Sequence, residues 1–278
     1  MTKKTKNWLV VFRMISLVIT SVCIILLIVW HIHNKQNIQI QSKLSDYVRV
    51  EENVLENDMT LKHDINESNI EQELLNVNNL NKVEESNKIL YNNGLFVDFN
   101  KLKAINSDVY GWVKIDDTNI DFPIVKANDN NYYLKKNFNK KYNGAGWIFA
   151  DYRNANESKN KVIYGHNRRN ETMFSNLKLL LNDKWFDNEN KKYFYFNTID
   201  KAYIAEIFSI YKVDAKKAYI PVEFKDQNEF LNYIEDTKNK SIINFDNTLK
   251  PEDEILTLCT CDDDTRYRIV LTAKLIEK

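Results

Sequence analysis

The sequence predicts a mainly β protein with a few helices, an α+β domain wound as a mixed-topology β-barrel and carried behind a membrane anchor. Three observations predict it. Beyond residue 91 the chain is a succession of short aromatic and β-branched runs separated by turn residues, which reads as many short strands. Few stretches there show helical spacing. Near the N-terminus an apolar run is long enough to cross a bilayer. With 44% hydrophobic residues in 278 the domain can bury a sizeable core. A net charge of zero excludes a global basic field that would recruit nucleic acid.

Taken in order, Lys3, Lys4 and Lys6 precede Trp8, and residues 14–30 are apolar apart from small hydroxyl residues. With residues 9–12 the run approaches the roughly 20 residues of a spanning helix. Arg13 sits near its edge, where a long side chain can snorkel, and Trp8 and Trp30 sit where interfacial aromatics belong. The lysines favour a cytoplasmic N-terminus, with the remaining chain outside. A cleaved signal peptide is the rival. It fits less well, because its apolar core is usually about 7 to 15 residues and no small-x-small cleavage site follows. Residues 1–33 are therefore expected to be a cytoplasmic tip and single transmembrane anchor, in which Cys23 only packs or faces lipid.

Residues 34–90 are rich in Asn, Glu, Lys and Gln and contain neither Pro nor Gly. They read as a polar, partly helical stalk whose Asn content argues against continuous helix. A globular domain is expected over 91–278. "FNKLKAI" suggests a short helix, and "VYGWVKI" and "NIDFPIV" suggest two strands joined by the polar 116–119 turn. Further strands are expected at "GWIFA", "KVIYG", "KYFYFN", "KAYIAEIFSIYKV", "EILTLCT" and "RYRIVLTAKLI". Between them, Met173, Phe174, Leu177 and Leu181 recur at helical spacing, as do Phe230, Tyr233 and Ile234.

His166 is the one histidine beyond residue 91. It follows "VIY" and Gly165, a residue that permits a turn, so the imidazole is expected at a strand end. A lone histidine is more often structural than catalytic. In "EILTLCTC" alternation sets Leu256 and Leu258 on one face and Thr257, Cys259 and Cys261 on the other. In "RYRIVLTAKL" it sets Ile269, Leu271 and Ala273 inward, opposite Arg266, Arg268 and Val270. Cysteine and arginine can thus line one groove. A thiol with an ordinary pKa of about 8.5 attacks poorly while protonated, an imidazole can protonate a leaving amine, and an arginine can hold a developing oxyanion. Cys259 and Cys261, one residue apart, cannot staple a domain and lack the spacing of a zinc site. In extended chain their Cα atoms lie about 6.5 to 7 Å apart, at the limit for a relaxed disulfide. Asp262, Asp263 and Asp264 read as a solvated loop; orienting His166, or disfavouring the thiolate by repulsion, is the alternative, and no metal site is expected.

These residues resemble the sortases, membrane-anchored cysteine transpeptidases of Gram-positive bacteria, and class B in particular. "TLCTC" is similar to the family's TLxTC, "VIYGHN" to its histidine segment and "RIVLTAKL" to its arginine strand. "VYGWVKIDDTNIDFPIV", "NNYYL" and "GAGWIFADYRN" also resemble class B sequence. The likeness runs from about residue 95 onward. It implies a closed β-barrel with N-terminal helices and an extra helix, read here at 226–238, before the cysteine strand.

The resemblance further implies Cys261 as nucleophile, His166 as general acid/base and Arg268 as the cation at the scissile bond. Asn130 and Leu134 are implied in the sorting-signal groove, where Cys259 and Thr260 also help shape the site. Two features depart from the pattern. Cys259 stands where class B usually has Ser, a near-isosteric exchange with a resolving thiol as the alternative. The connection from Cys261 is short, so Arg266 shares the parity of Arg268, although the alignment of "RIVLTAKL" favours Arg268.

The implied activity is cleavage of a surface protein's sorting signal at a Thr carbonyl and transfer to an amine of a peptidoglycan precursor or cross-bridge, with hydrolysis as side reaction. NPxTx-like signals are the implied substrates, with no cofactor and no nucleic-acid partner. A papain-like wall peptidase, which has cysteine before histidine, and a non-enzymatic surface module are the rivals.

Overall fold

A computed structural model describes residues 3–50, 94–261 and 266–278 of the chain. Helix α1 (Lys3–Ser45) leads into strand β1 (Val48–Val50), which pairs with β2 (Leu95–Val97). Then follow α2 (Phe99–Ile105), β3 (Val109–Lys114), β4 (Asp121–Val125), β5 (Phe149–Ala150), β6 (Asn160–His166), β7 (Tyr193–Thr198) and β8 (Ala202–Asp214). Helix α3 (Gln227–Lys240), β9 (Glu254–Cys261) and β10 (Tyr267–Glu277) complete the chain.

Strands β3 to β10 close into a barrel in the order β10-β8-β7-β3-β4-β5-β6-β9. Within it β4–β5 and β6–β9 run parallel and the other neighbours antiparallel, so the mixed topology expected from the sequence is present. Closure removes the unpaired edges that an open sheet of this kind exposes.

The inner face of β9 and β10 carries Leu256, Leu258, Ile269, Leu271 and Ala273 into the main core beside Trp112, Phe122 and Phe196. Their outer faces are also covered. Ile255 packs under Phe230 and Ile234 of α3, and Cys259 and Val270 pack under Ile220 and Val222. Burying each of the larger apolar side chains contributes roughly 1.5–3 kcal/mol. Helix α3 starts where Asp226 accepts the Glu229 N–H and the Glu229 carboxylate accepts the Lys225 N–H, a capping box shifted by one residue.

Two local expectations change. Residues Ser175–Leu181 form a 3-10 helix rather than an α-helix; its buried leucines are Leu177 and Leu180, one turn apart at the three-residue repeat. Gly165 does not make a turn. It lies inside β6, where a Cβ would come within 2.4 Å of Ile148 Cδ1 and 2.7 Å of Phe174 Cγ, so its missing side chain provides packing space.

Helix α1 exposes its side chains over residues 11–32 and is long and apolar enough to cross a membrane. It does not stop at residue 33. Residues 34–45, assigned to the stalk from the sequence, continue the same helix and dock on the barrel through the buried Asn34, Asn37 and Leu44. Residues 51–90 of the stalk lie outside the described residues, as does the expected domain boundary at residue 91.

Candidate active site

Parallel pairing of β6 with β9 sets Tyr164 beside Cys259, Gly165 beside Thr260 and His166 beside Cys261. Strands so paired lie about 4.8 Å apart, so the histidine and the second cysteine share one end of the barrel. On the other flank of β9, Val270 pairs with Cys259. Beyond that pair the Ile269 N–H donates to Thr260 Oγ1 at 2.8 Å, and Arg268 Nη1 donates to the Thr260 carbonyl at 3.1 Å. Arg268 is thereby tied to the residue preceding Cys261. Arg266 is exposed, and its carbonyl accepts the Ala215 N–H. Asp262, Asp263 and Asp264 lie outside the described residues.

His166 is 3% exposed. Its Nε2 lies 2.9 Å from the carbonyl oxygen of Leu134, in the 3-10 turn Tyr132–Lys135. A carbonyl only accepts, so Nε2 carries the proton and donates it. In the neutral ring the lone pair is then on Nδ1, the nitrogen left for proton exchange.

A cleft of about 380 Å³ opens beside these strands, lined by Asn130, Leu134, Arg153, Tyr164, Cys259 and Arg268 together with the 218–220 segment. Of the residues expected from the sequence, Asn130, Leu134, Cys259 and Arg268 are therefore on its wall. His166 and Thr260 are buried instead, and are joined to that wall through their hydrogen bonds with Leu134 and Arg268. Cys259 is fully buried, at the floor, with its Sγ 3.6 Å from the Thr260 carbonyl.

Sequence reasoning does not single out Asp151, Arg153 or Tyr164. Asp151 has no exposed side-chain surface, and its carboxylate accepts from Arg153 Nε at 2.9 Å, Arg153 Nη2 at 2.7 Å, Asn130 Nδ2 at 3.1 Å and Tyr164 Oη at 3.2 Å. Burial pushes this carboxyl up, but the Arg153 guanidinium, its backbone N–H and Asn130 together hold it below the usual carboxylate range. Asn130 is held at both ends, since its Oδ1 accepts the Tyr152 N–H at 3.0 Å. The Asp-Tyr-Arg run in "FADYRN", an acid two residues before a base in a turn where the Asp151 carboxylate also accepts the Arg153 N–H at 2.9 Å, is the signal that points to such a pair.

A closed barrel with a histidine strand and a cysteine strand paired at one end and an arginine strand on the far flank is the frame of a thiol acyl-transfer enzyme. Residues 113–276 match the Sortase domain family. The chain is 38% identical over 182 residues to Sortase B of Listeria monocytogenes, an alignment covering 64% of this chain and 73% of that protein. Among solved structures, sortase B of Clostridium perfringens superposes with a TM-score of 0.60 at 40% identity, covering 64% of this chain and 99% of that one. A Staphylococcus aureus sortase B–substrate complex does so with a TM-score of 0.61 at 34% identity, covering 64% and 84%.

The chain belongs to the sortase family, and its relatives place it in class B. It is a cysteine transpeptidase that anchors surface proteins, acting on their sorting signals and a cell-wall amine. The papain-like and non-enzymatic rivals fall with that assignment.

Proposed function

We propose that Cys261 is the nucleophile, His166 the general acid/base and Arg268 the cation that holds the substrate oxyanion. The observation that carries this reading is the register pairing of His166 with Cys261, together with the Arg268 guanidinium bound to the Thr260 carbonyl.

The cycle runs in two halves. The Cys261 thiolate attacks the Thr carbonyl of the sorting signal, and the negative charge that forms on that oxygen is stabilised by Arg268. As the C–N bond breaks, the imidazolium gives its Nδ1 proton to the departing amine and keeps Nε2–H on the Leu134 carbonyl. The cell-wall amine then attacks the thioester, Nδ1 takes a proton from it, and the Cys261 thiolate leaves. Water in place of the amine gives hydrolysis.

The cleft beside Leu134 and Asn130 accepts an extended peptide, and an NPxTx-like signal is the substrate assigned to it. Helix α1 spans the membrane with its lysine-bearing end in the cytoplasm, and the barrel stands outside. Residues 1–33 serve as tip and anchor, 34–90 as connection and 91–278 as catalytic domain. The test is cleavage of a panel of sorting-signal peptides by the full chain in detergent. At least one NPxTx-type peptide is cleaved at the Thr carbonyl, and Cys261→Ala abolishes the cleavage; undiminished turnover by that variant refutes the assignment.

A further inference from the structure

The docked end of α1 reaches the segment that packs on the histidine. Its inward positions Asn34, Asn37 and Leu44 recur at three to seven residues, one face of a helix. Two of the three are asparagines, and a buried amide is stable only when its donors and acceptors are used. Asn37 Nδ2 donates to the Gly146 carbonyl at 3.2 Å, and Asn37 Oδ1 accepts from Asn143 Nδ2 at 2.9 Å. Asn143 Nδ2 also donates to the His33 carbonyl at 3.0 Å. From the other side Arg168, two residues beyond His166, donates to the Gly144 carbonyl at 3.0 Å and to Asn34 Oδ1 at 3.3 Å. The 143–146 segment is clamped between the helix and the end of β6.

Gly146 explains what the clamp holds. Its φ is +61°, and a Cβ there would lie 2.7 Å from the Tyr133 and Leu134 carbonyl oxygens and 2.9 Å from His166 Cδ2. Its backbone therefore packs directly against both partners of the His166–Leu134 hydrogen bond, and only glycine fits that gap in that conformation.

We infer that the docked end of α1 positions the imidazole, with Asn37 acting as a positioning residue that presses Gly146 against the His166–Leu134 pair. The inference rests on His166 being the acid/base. It makes the membrane helix part of the catalytic unit: anchor, clamp and histidine form one connected piece, and turnover depends on α1 even when the substrate is a soluble peptide.

The test uses the full chain in detergent micelles and a fluorogenic NPxTx-type peptide, comparing Asn37→Ala, Asn34→Ala and His166→Ala with the exposed-face control Lys35→Ala. Asn37→Ala is expected to lower kcat on the order of tenfold, the scale of a small misplacement of a reacting group, with KM within about twofold. Asn34→Ala, which removes only one Arg168 contact, is expected to lower kcat a few-fold and serves as the milder variant if Asn37→Ala does not fold. Lys35→Ala matches the parent. Folded Asn37→Ala and Asn34→Ala enzymes with unchanged kcat, beside an inactive His166→Ala, overturn the inference and leave the acid/base assignment standing. A fully active His166→Ala overturns both.

Discussion

His166 donates its Nε2–H to the main-chain carbonyl of Leu134, 2.9 Å away, so a residue on the cleft wall also sets the tautomer of the imidazole. The neutral ring is expected to be the Nε2–H form alone. Nitrogen-15 NMR of histidine-labelled protein checks this: one ring nitrogen of His166 resonates as protonated and the other, Nδ1, as unprotonated. An Nδ1–H ring would contradict the proton route. His166→Ala is expected to lower kcat/KM by roughly 10²–10⁴-fold, the range of general acid–base catalysis.

Arg268 and Arg266 separate cleanly. Both have the parity to face the groove, but only Arg268 lines the cleft and binds the Thr260 carbonyl. Arg268→Ala is expected to lower kcat by about 10²–10³-fold, as for loss of an oxyanion donor. Arg266→Ala should stay within about twofold. Steady-state rates on one peptide decide it, and a reversed order would move the cation to Arg266.

Strand alternation makes much of this site readable in advance. The two-residue period in "EILTLCTC" separates Leu256 and Leu258 from Cys259, and the structure has them in different clusters. That the outer face of β9 is itself covered is not readable, because Ile220 and Val222 come from a segment far off in sequence. Distance also hides the contacts of the Asp151 carboxylate with Asn130 and Tyr164, 21 and 13 residues away, whereas its pairing with Arg153, two residues on, is legible in "FADYRN". Residues 175–181 look α-helical from spacing, since three- and four-residue repeats differ little over seven positions. The docking of α1 is hidden too, because two of its three buried positions, Asn34 and Asn37, are asparagines, which no hydrophobic pattern reports.

Cys259 is better described as a core residue than as an exposed groove thiol. It has no exposed surface and packs among Val162, Tyr211, Ile220, Val222 and Val270. In the folded protein iodoacetamide should therefore leave Cys259 unmodified, with labelling only on unfolding, as mass spectrometry of tryptic peptides can show. Cys259→Ser should keep its activity but lose about 1 kcal/mol of stability, because a hydroxyl is less at home in an apolar cluster. Rapid native labelling of Cys259 would revive the resolving-thiol role.

Asp151 carries the last prediction. Its carboxylate is buried and ionised, and the Arg153, Asn130 and Tyr164 side chains that it gathers all line the cleft. A carboxyl held below its ordinary value of about 3.9 stabilises the fold above that pH, and the contribution is lost as pH falls further. The melting temperature of the parent should therefore drop on acidification below about pH 4, and Asp151→Asn should reduce that slope. The asparagine cannot serve the five donors, the Arg153 N–H among them, so the wall loosens while the His166–Leu134 bond, which does not pass through Asp151, stays in place. KM for the sorting peptide should rise on the order of tenfold, the effect of losing one charge-assisted hydrogen bond of ~1.5 kcal/mol, with kcat nearly unchanged. A fall in kcat at constant KM would show instead that Asp151 acts on the chemistry and not on the wall that receives the peptide.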